Sequence, residues 1–256
     1  MPEVKEYAPG TPSWVDLGSP DLEASKRFYR ALFGWNAETG DDPATGGYTV
    51  FTLRGKNAAG LAPLMAPGQP PAWTTYVSVD DADTAAKTAL AAGGSVLAEP
   101  VDVLDIGRMA VFADPTGAVV SVWQPRAHIG ADLANEPGTF CWNELATRDT
   151  EAAKPFYRAV FGWEGETNVD AGMAYTEWKL DGRSVAGMMD MGAQVPADVP
   201  PHWLVYFAVD DCDASVDTAQ ANGAGVFVPP SDVPPGRFSV LTDPHGAVFA
   251  VIRMTT

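Results

Sequence analysis

The chain has 256 residues, which is long enough for two domains of ordinary size, and 46% of them are hydrophobic, enough for a packed core. Its formal net charge of -17 argues against nucleic acid and anionic membranes as partners, because both reward clustered Lys and Arg. An acidic protein of this kind favours cationic ligands only mildly.

The first residues, MPEVKEYAPG, contain no apolar segment, so we expect no signal peptide, and no run is long enough to cross a bilayer. The two cysteines, Cys141 and Cys212, lack the spacing of metal-binding or redox motifs. Cys141 falls in an apolar run, where a buried thiol is the simplest interpretation. These features together predict a cytoplasmic protein.

The first quarter of the chain predicts a strand, a helix and further strands. Residues 14–18 are strand-like, and residues 20–33 have helical spacing of apolar side chains. We expect Ser19 to be the N-cap, with Pro20 at the first helical position and Gly34 ending the helix. Residues 48–53 and 58–64 then alternate as strands do.

The second quarter repeats this order of elements. A strand over 73–79 precedes a helix that Asp81 or Asp83 caps and that ends near Ala92. A hairpin follows, with strands 109–113 and 118–123 and the turn 114–117, whose Asp-Pro-Thr-Gly sequence suits a type I turn. Each quarter therefore predicts one βαβββ module.

The whole pattern occurs twice. Residues 12–36, PSWVDLGSPDLEASKRFYRALFGWN, match residues 140–164, FCWNELATRDTEAAKPFYRAVFGWE, and the match extends to the end of each half. Pro155 replaces Arg27 inside the third helix, so we expect that helix to start late or to kink. The prediction is an α+β protein of four modules, with domains at 1–124 and 140–256 and a linker at 125–139.

Four βαβββ modules in tandem pairs, with the phrases DLEASKRFYRALFGW and DPTGAVVSVWQP, resemble the vicinal oxygen chelate superfamily, the glyoxalase, bleomycin resistance protein and dioxygenase fold. The two-domain form is similar to members described as glyoxalase-like or hydroxylase-like. The resemblance implies that paired modules form a half-open cup that holds a divalent metal or, in binding members such as antibiotic resistance proteins, a bare ligand pocket.

In metal-using members, the resemblance implies a His on the first strand and a Glu on the last strand of each module. The first-strand positions here are Trp14, Thr74, Trp142 and Leu204, and the last-strand positions are Gly60, Ser121, Gly187 and Ala250. None of these is a good metal ligand, since an indole has no lone pair to offer. The three histidines, His128, His202 and His245, form no metal-binding spacing. We therefore predict neither a metal nor another cofactor.

Two carboxylates occupy matched positions beside the first-strand tryptophans. Asp16 and Glu144 lie two residues after Trp14 and Trp142, so strand alternation places each on the same face as its Trp. They are the predicted catalytic residues, as a base or a ligand anchor. The alternative is that they cap the following helices or pair with Arg108 or Arg237.

The predicted ligand-binding side chains are aromatic, adaptable or small polar residues on the same strands. They are Trp14, Thr74, Tyr76, Ser121, Trp123, Trp142, Trp178, Met189, Leu204 and Tyr206. The alternative for each aromatic residue is a place in the hydrophobic core.

Three functions remain open from the sequence. The first is metal-independent binding of a hydrophobic, planar aromatic molecule, for drug sequestration or as an accessory in modifying an aromatic natural product. The second is an isomerase, lyase or oxygenase that uses Asp16 or Glu144. The third is an interaction or regulatory protein. The chain is expected to be a monomer that acts as an internal pseudo-dimer, or a homodimer, and the pairing of the modules is left open.

Overall fold

A computed structural model of the protein describes residues 3–40, 45–170, 173–193 and 195–255. The first half contains β1 (Pro12–Ser19), α1 (Leu22–Phe33), β2 (Asn36–Thr39), β3 (Thr49–Leu53), β4 (Lys56–Pro63), β5 (Ala72–Ser78), α2 (Ala82–Ala91), β6 (Ser95–Val103), β7 (Gly107–Ala113) and β8 (Val119–Pro125). The second half contains β9 (Phe140–Thr147), α3 (Thr150–Phe161), β10 (Glu164–Asp170), β11 (Met173–Leu180), β12 (Arg183–Asp190), β13 (His202–Ala208), α4 (Cys212–Ala221), β14 (Gly225–Val233), β15 (Gly236–Thr242) and β16 (Val248–Met254).

Each half forms one mixed sheet of eight strands. The strand order is β2-β3-β4-β1-β5-β8-β7-β6 in the first sheet and β10-β11-β12-β9-β13-β16-β15-β14 in the second. The first strands of two consecutive modules, β1 and β5, pair antiparallel at the centre, as do β9 and β13. The two modules of one half therefore share a sheet, and the α+β fold of tandem βαβββ modules is confirmed.

The helix ends confirm part of the capping prediction and correct the rest. Helix α1 begins at Leu22, and its N-cap is Asp21, whose carboxylate accepts a hydrogen bond from the backbone N–H of Ala24. The prediction of Ser19 as N-cap was wrong, because the Ser19 hydroxyl accepts a hydrogen bond from the backbone N–H of Asp21, and Asp21 caps the helix N–H groups. Gly34 ends the helix in the left-handed conformation as expected.

The third helix does not start late. Helix α3 is 12 residues long, as α1 is, despite Pro155, and Asp149 caps it as Asp21 caps α1. In the second quarter Asp81 is the cap, and Asp83 lies in the first turn. No helix of the described residues is long and apolar enough to cross a membrane.

The inner faces of the two sheets pack toward each other, and the helices fill the space beside the contact. Val15 and Leu17 on β1 share one hydrophobic core with Phe28 on α1 and Phe249 on β16. Where β5 meets β13, the Thr75 hydroxyl donates to a buried side chain of the neighbouring strand β9 in the other half. The side chains at even-numbered positions of β1 consequently point to the outer face.

Two matched hydrogen bonds join the halves. The Tyr29 hydroxyl on α1 donates to Asp243 across 3.2 Å, and the Tyr157 hydroxyl on α3 donates to Asp114 across 2.8 Å. Both aspartates also accept backbone N–H bonds within the hairpin turns that they begin. The predicted turn 114–117 is confirmed, since Gly117 N–H donates to the Asp114 carbonyl. The duplicated halves thus contact each other through the same pair of residue types.

Candidate functional site

The outer face of the first sheet gathers most of the predicted site residues. The strand register places Trp14 opposite Tyr76 and Asp16 opposite both Thr74 and Gly60, while Tyr76 lies opposite Ser121. Although this face points away from the other half, Trp14, Asp16 and Tyr76 are all buried. We call this group of residues the first cup: Trp14, Asp16, Tyr48, Gly60, Tyr76 and Ser121.

The centre of the first cup is a carboxylate held by tyrosine hydroxyls. Tyr76 donates to Oδ2 of Asp16 across 2.9 Å, and Tyr48 donates to the same oxygen across 3.3 Å. The indole Nε1 of Trp14 in turn donates to the Tyr48 hydroxyl across 2.9 Å. Every donor in this series of hydrogen bonds points toward the carboxylate, and none of its partners among the described residues is a cationic side chain.

The second half repeats the arrangement at matched positions. Tyr206 donates to Oε1 of Glu144 across 3.0 Å, and Nε1 of Trp142 donates to the Tyr175 hydroxyl across 2.9 Å. The register again places Gly187 opposite Glu144 and Ala250 opposite Tyr206. We call these residues the second cup: Trp142, Glu144, Tyr175, Gly187, Tyr206 and Ala250.

Burial without a cation changes the titration of both carboxyl groups. Desolvation raises the pKa of Asp16 to about 6, and hydrogen bonds from Tyr76, Tyr48 and Thr74 limit the rise. Desolvation likewise raises the pKa of Glu144, and Tyr175 and Tyr206 oppose it. Burial, reinforced by the neighbouring carboxylates, holds the pKa values of the four tyrosines above their usual range. These hydroxyls therefore act as hydrogen-bond donors at neutral pH.

The donor set does not fit the divalent ion that the fold family implies. A Cβ atom on Gly60 would lie 2.0 Å from the Tyr48 hydroxyl oxygen, and a Cβ on Gly187 would lie 2.0 Å from that of Tyr175. A glutamate ligand at either position is therefore incompatible with the tyrosine. Each cup offers one carboxylate as a metal ligand, and the imidazole of His128 packs against Trp14 in the first cup. Nowhere in the described ranges do three His, Cys, Asp or Glu side chains form a metal-binding group.

Several other predicted residues lie on the outer faces as expected. Thr74 is half-buried next to Asp16, and the Trp123 side chain lies over Gly107. Leu204 forms an apolar cluster with Tyr206 in the second half. Met189 is half-buried at the rim, opposite Tyr175 and two residues beyond Gly187.

The prediction of Trp178 as a ligand-binding residue was wrong. Its indole is fully buried on the inner face, with its ring centroid 5.5 Å from that of Tyr157 and 5.9 Å from that of Trp163. Trp178 lies three positions after Tyr175 in β11, with regular pairing between them, so strand alternation places the two side chains on opposite faces of the sheet. Trp178 is therefore a core residue and not a cup residue.

The alternative role for the two carboxylates is also wrong. Arg108 pairs with Asp83 and Asp102, and Arg237 pairs with Asp213 and Asp232, all at the surface. The helix caps are other aspartates. Within the part of the chain that the structure describes, Asp16 and Glu144 therefore have neither a cationic partner nor a capping role.

Sequence reasoning missed the second tyrosine of each cup. Tyr48 and Tyr175 recur at matched positions of the repeat, which was the available signal. Each lies before or early in the third strand of its module, and only the close approach of the strand to a glycine brings its hydroxyl to the carboxylate. His128 was also missed as a site residue, although its ring centroid lies 4.7 Å from that of Trp14.

A crevice of about 370 Å³ lies away from both cups, between the turn 114–117 and the loop 195–201. Its basic side chain, Arg148, already donates to the carbonyl oxygens of Gly192, Val195, Pro196 and Val199. This guanidinium is therefore engaged in holding the loop. The cups remain the candidate functional sites.

Comparison with known proteins agrees with the fold and the repeat. The model of the Glyoxalase/Bleomycin resistance protein/Dioxygenase superfamily matches residues 11–122 and again residues 139–251. The chain belongs to this superfamily. The protein of Mycobacterium tuberculosis named "Putative glyoxylase CFP32" is 45% identical over 259 residues, covering 99% of this chain and 98% of the relative. The anthracycline biosynthesis protein DnrV of Streptomyces peucetius is 44% identical over 265 residues, covering 98% and 96%.

Among solved structures, the Mn(II)-bound glyoxalase from Novosphingobium aromaticivorans is similar in fold. Its TM-score is 0.66 at 17% identity, with 96% of this chain and 82% of that chain covered. At this identity the likeness concerns the fold alone. The metal of that protein does not transfer to the cups described above, whose donor sets differ from a metal site.

Proposed function

We propose that the protein binds a hydrophobic, planar aromatic small molecule in a cup, without a metal ion. The observation that carries the proposal is a buried carboxylate that accepts a hydrogen bond from a tyrosine hydroxyl, beside an indole that donates to a second tyrosine, and this arrangement occurs in both halves. Apolar surroundings with a few convergent polar groups are typical of small-molecule sites.

The chemistry of the cup favours a ligand with one polar group on a flat ring system. Indole and phenol rings stack on planar molecules, which accounts for affinity toward aromatic rings. The tyrosine hydroxyls already donate to the carboxylate, so the remaining polar capacity of the cup is to accept a hydrogen bond. A phenolic hydroxyl or an amine on the ligand meets that requirement.

The relatives support the same class of ligand. DnrV carries the description of an anthracycline biosynthesis protein, and it matches this chain along nearly its whole length. A role in sequestering an aromatic compound, or in assisting its modification, agrees with a cup that binds without a metal.

The test is isothermal titration calorimetry of protein dialysed against a chelator, with 2-naphthol as the probe and a panel of polycyclic phenols and quinones beside it. We expect a dissociation constant below about 1 mM. The saturated alcohol decahydro-2-naphthol has the same size and polar group but no flat ring, so it serves as the control ligand. Its binding should be at least about 10-fold weaker.

Matched variants identify which cup binds the ligand. Trp14→Phe or Trp142→Phe should weaken the binding, whereas Trp178→Phe alters only an indole in the core. No binding across the whole panel would contradict the proposal. Binding that appears only after a divalent ion is added back would contradict its metal-independent part.

A second candidate is a glyoxalase-like or dioxygenase-like enzyme in which Asp16 acts as a general base. The observation that favours it is the pKa of Asp16, which burial raises to about 6. A general base is most effective when its pKa lies near the pH at which the enzyme operates. If this candidate function is right, the protein converts the bound molecule to a product. Asp16→Asn or Glu144→Gln should then abolish turnover but leave binding intact. Unchanged turnover in both variants would exclude these carboxylates as catalytic residues.

The interaction-protein alternative and the choice between monomer and homodimer stay predictions, as do the domain boundaries at 124 and 140.

A further inference from the structure

The two cups differ in what covers them. In the first cup the imidazole of His128 lies edge-on to Trp14, with ring centroids 4.7 Å apart, and also contacts Trp123 at 5.6 Å. As a result Trp14 is only 4% exposed. Trp142, its counterpart, is half-buried, and it makes no ring contact of this kind with another aromatic side chain of the described ranges.

The segment that carries His128 is anchored on both sides of the ring. The backbone N–H of His128 donates to the Ile106 carbonyl, and the His128 carbonyl accepts a 2.7 Å hydrogen bond from the Trp123 indole. Gly130 approaches Ser13 so closely that a Cβ atom would lie 2.3 Å from the Ser13 carbonyl oxygen. Residues 126–131 therefore form a fitted cover over the first cup.

The apolar side chains of the second cup are set apart from the main core. Leu204, Tyr206, Ala250 and Ile252 form a separate cluster, and Trp142 and Phe238 pack against it while still partly exposed. In the first half, by contrast, Trp14, Tyr76 and Trp123 belong to the large core that also contains linker residue Ala131. An apolar cluster that keeps accessible surface is the feature expected of a binding site.

The carboxylates differ in their remaining capacity to accept hydrogen bonds. Two tyrosine hydroxyls donate to Asp16, whereas among the described residues Tyr206 alone donates to Glu144, and Leu204 stands where the first half has Thr74. Glutamate is also one methylene longer than aspartate, so its carboxylate extends farther from the strand. Glu144 is therefore better placed to accept a hydrogen bond from a ligand.

Resting on the proposed function, we propose that the second cup is the ligand site of the chain, that residues 126–131 keep the first cup closed, and that the ligand is a planar aromatic molecule whose phenolic hydroxyl donates to Glu144. The affinity then depends on the ligand's donor hydrogen. A methyl ether of the same ring system fits the cup but lacks that hydrogen.

The test uses the full chain, with 2-naphthol and 2-methoxynaphthalene as matched probes in calorimetric titrations. We expect one 2-naphthol per chain, and binding of the ether weaker by about 10-fold or more. Glu144→Gln should weaken 2-naphthol binding by a similar factor, and Trp142→Phe, which removes an indole from the same cup, should weaken it as well. A urea titration of each variant verifies that it is folded. His128→Ala should open the first cup and add a second binding event.

Each part of the inference has its own contrary result. Two equal sites in the wild-type chain, or loss of binding in Asp16→Asn instead of Glu144→Gln, would overturn the assignment to the second cup while leaving the proposed function intact. A stoichiometry of one in His128→Ala would overturn the role of the cover. Equal affinity for naphthol and ether would overturn the phenol donor, and no binding of either probe or of the wider panel would instead remove the proposed function itself.

Discussion

Tyr48 and Gly60 fit together so closely that any side chain at residue 60 would overlap the tyrosine hydroxyl. The distance from a Cβ atom on Gly60 to Oη of Tyr48 would be 2.0 Å, and the pair of Tyr175 and Gly187 repeats the relationship in the second half. The glycine is what allows the hydroxyl to reach the cup carboxylate. The position that a glutamate ligand occupies in metal-using members is here covered by a phenol.

This relationship predicts an energetic coupling. Gly60→Ala should lower the free energy of unfolding by about 1–3 kcal/mol, because the added methyl group must displace Tyr48. The cost should be smaller in a Tyr48→Leu background, as a double-mutant cycle in urea measures. Gly18→Ala is the control, since a Cβ there meets its nearest neighbour at an ordinary 3.4 Å. Equal costs in both backgrounds would contradict the coupling.

The raised pKa of Asp16 predicts a pH dependence of stability. With a folded-state pKa of about 6 against an ordinary value of 3.8, the folded chain binds more protons than the unfolded chain between these values. Stability contributed by this group is therefore present at low pH and is lost as pH rises through about 4 to 6. The loss is on the order of 2–3 kcal/mol.

Asp16→Asn removes this titration. Urea titrations at several pH values measure the difference in free energy of unfolding between the wild type and the variant. This difference should decrease by about 2–3 kcal/mol from pH 4 to pH 7. The asparagine side chain keeps an oxygen that accepts from Tyr76, so the fold is expected to survive. Parallel pH profiles for the two proteins would show that Asp16 titrates normally.

The hydrogen bonds between the halves predict matched losses of stability. Tyr29→Phe removes a donor to Asp243, and Tyr157→Phe removes a donor to Asp114, so each should cost about 1–3 kcal/mol. Thr218→Val serves as the control, because its hydroxyl makes only an exposed bond within its own helix. Chemical denaturation measures all three, and losses no larger than the control's would mean that these contacts do not stabilise the assembly of the halves.

Binding of a phenol should strengthen as pH rises. The carboxylate form of Glu144 is the better acceptor, and burial raises the pKa at which this form appears. We expect the affinity for 2-naphthol to increase with pH through that raised pKa, and to become flat in Glu144→Gln. Calorimetry at several pH values below the pKa of the probe itself measures this, and a flat wild-type profile would contradict the acceptor role.

The sequence was sufficient for the parts of the molecule that local patterns and the repeat encode. Strand alternation placed Asp16 beside Trp14 and Glu144 beside Trp142, and Gly34 ended the first helix as its conformational freedom predicts. The observed N-cap is Asp21 and not the predicted Ser19, because two residues that can cap a helix lie within three positions of each other. Such competition is decided by geometry that the sequence does not specify.

The remaining site residues depend on long-range contacts. Tyr48 reaches Asp16 across 32 positions and His128 reaches Trp14 through the linker, so neither contact follows from local periodicity. Trp178 is different, because strand alternation from Tyr175 already places it on the opposite face, so its place in the core follows from a local pattern.

The most direct test of the central claim is fluorine NMR of the protein labelled with 5-fluorotryptophan, in chelator, during titration with 2-naphthol. The eight tryptophans give separate reporters that single Trp→Phe variants assign. The account predicts a saturable shift of the Trp142 resonance, with the core residues Trp163 and Trp178 unaffected. A spectrum that stays unchanged, or that changes only after a divalent metal ion is added, would contradict metal-independent binding of an aromatic ligand in the cup.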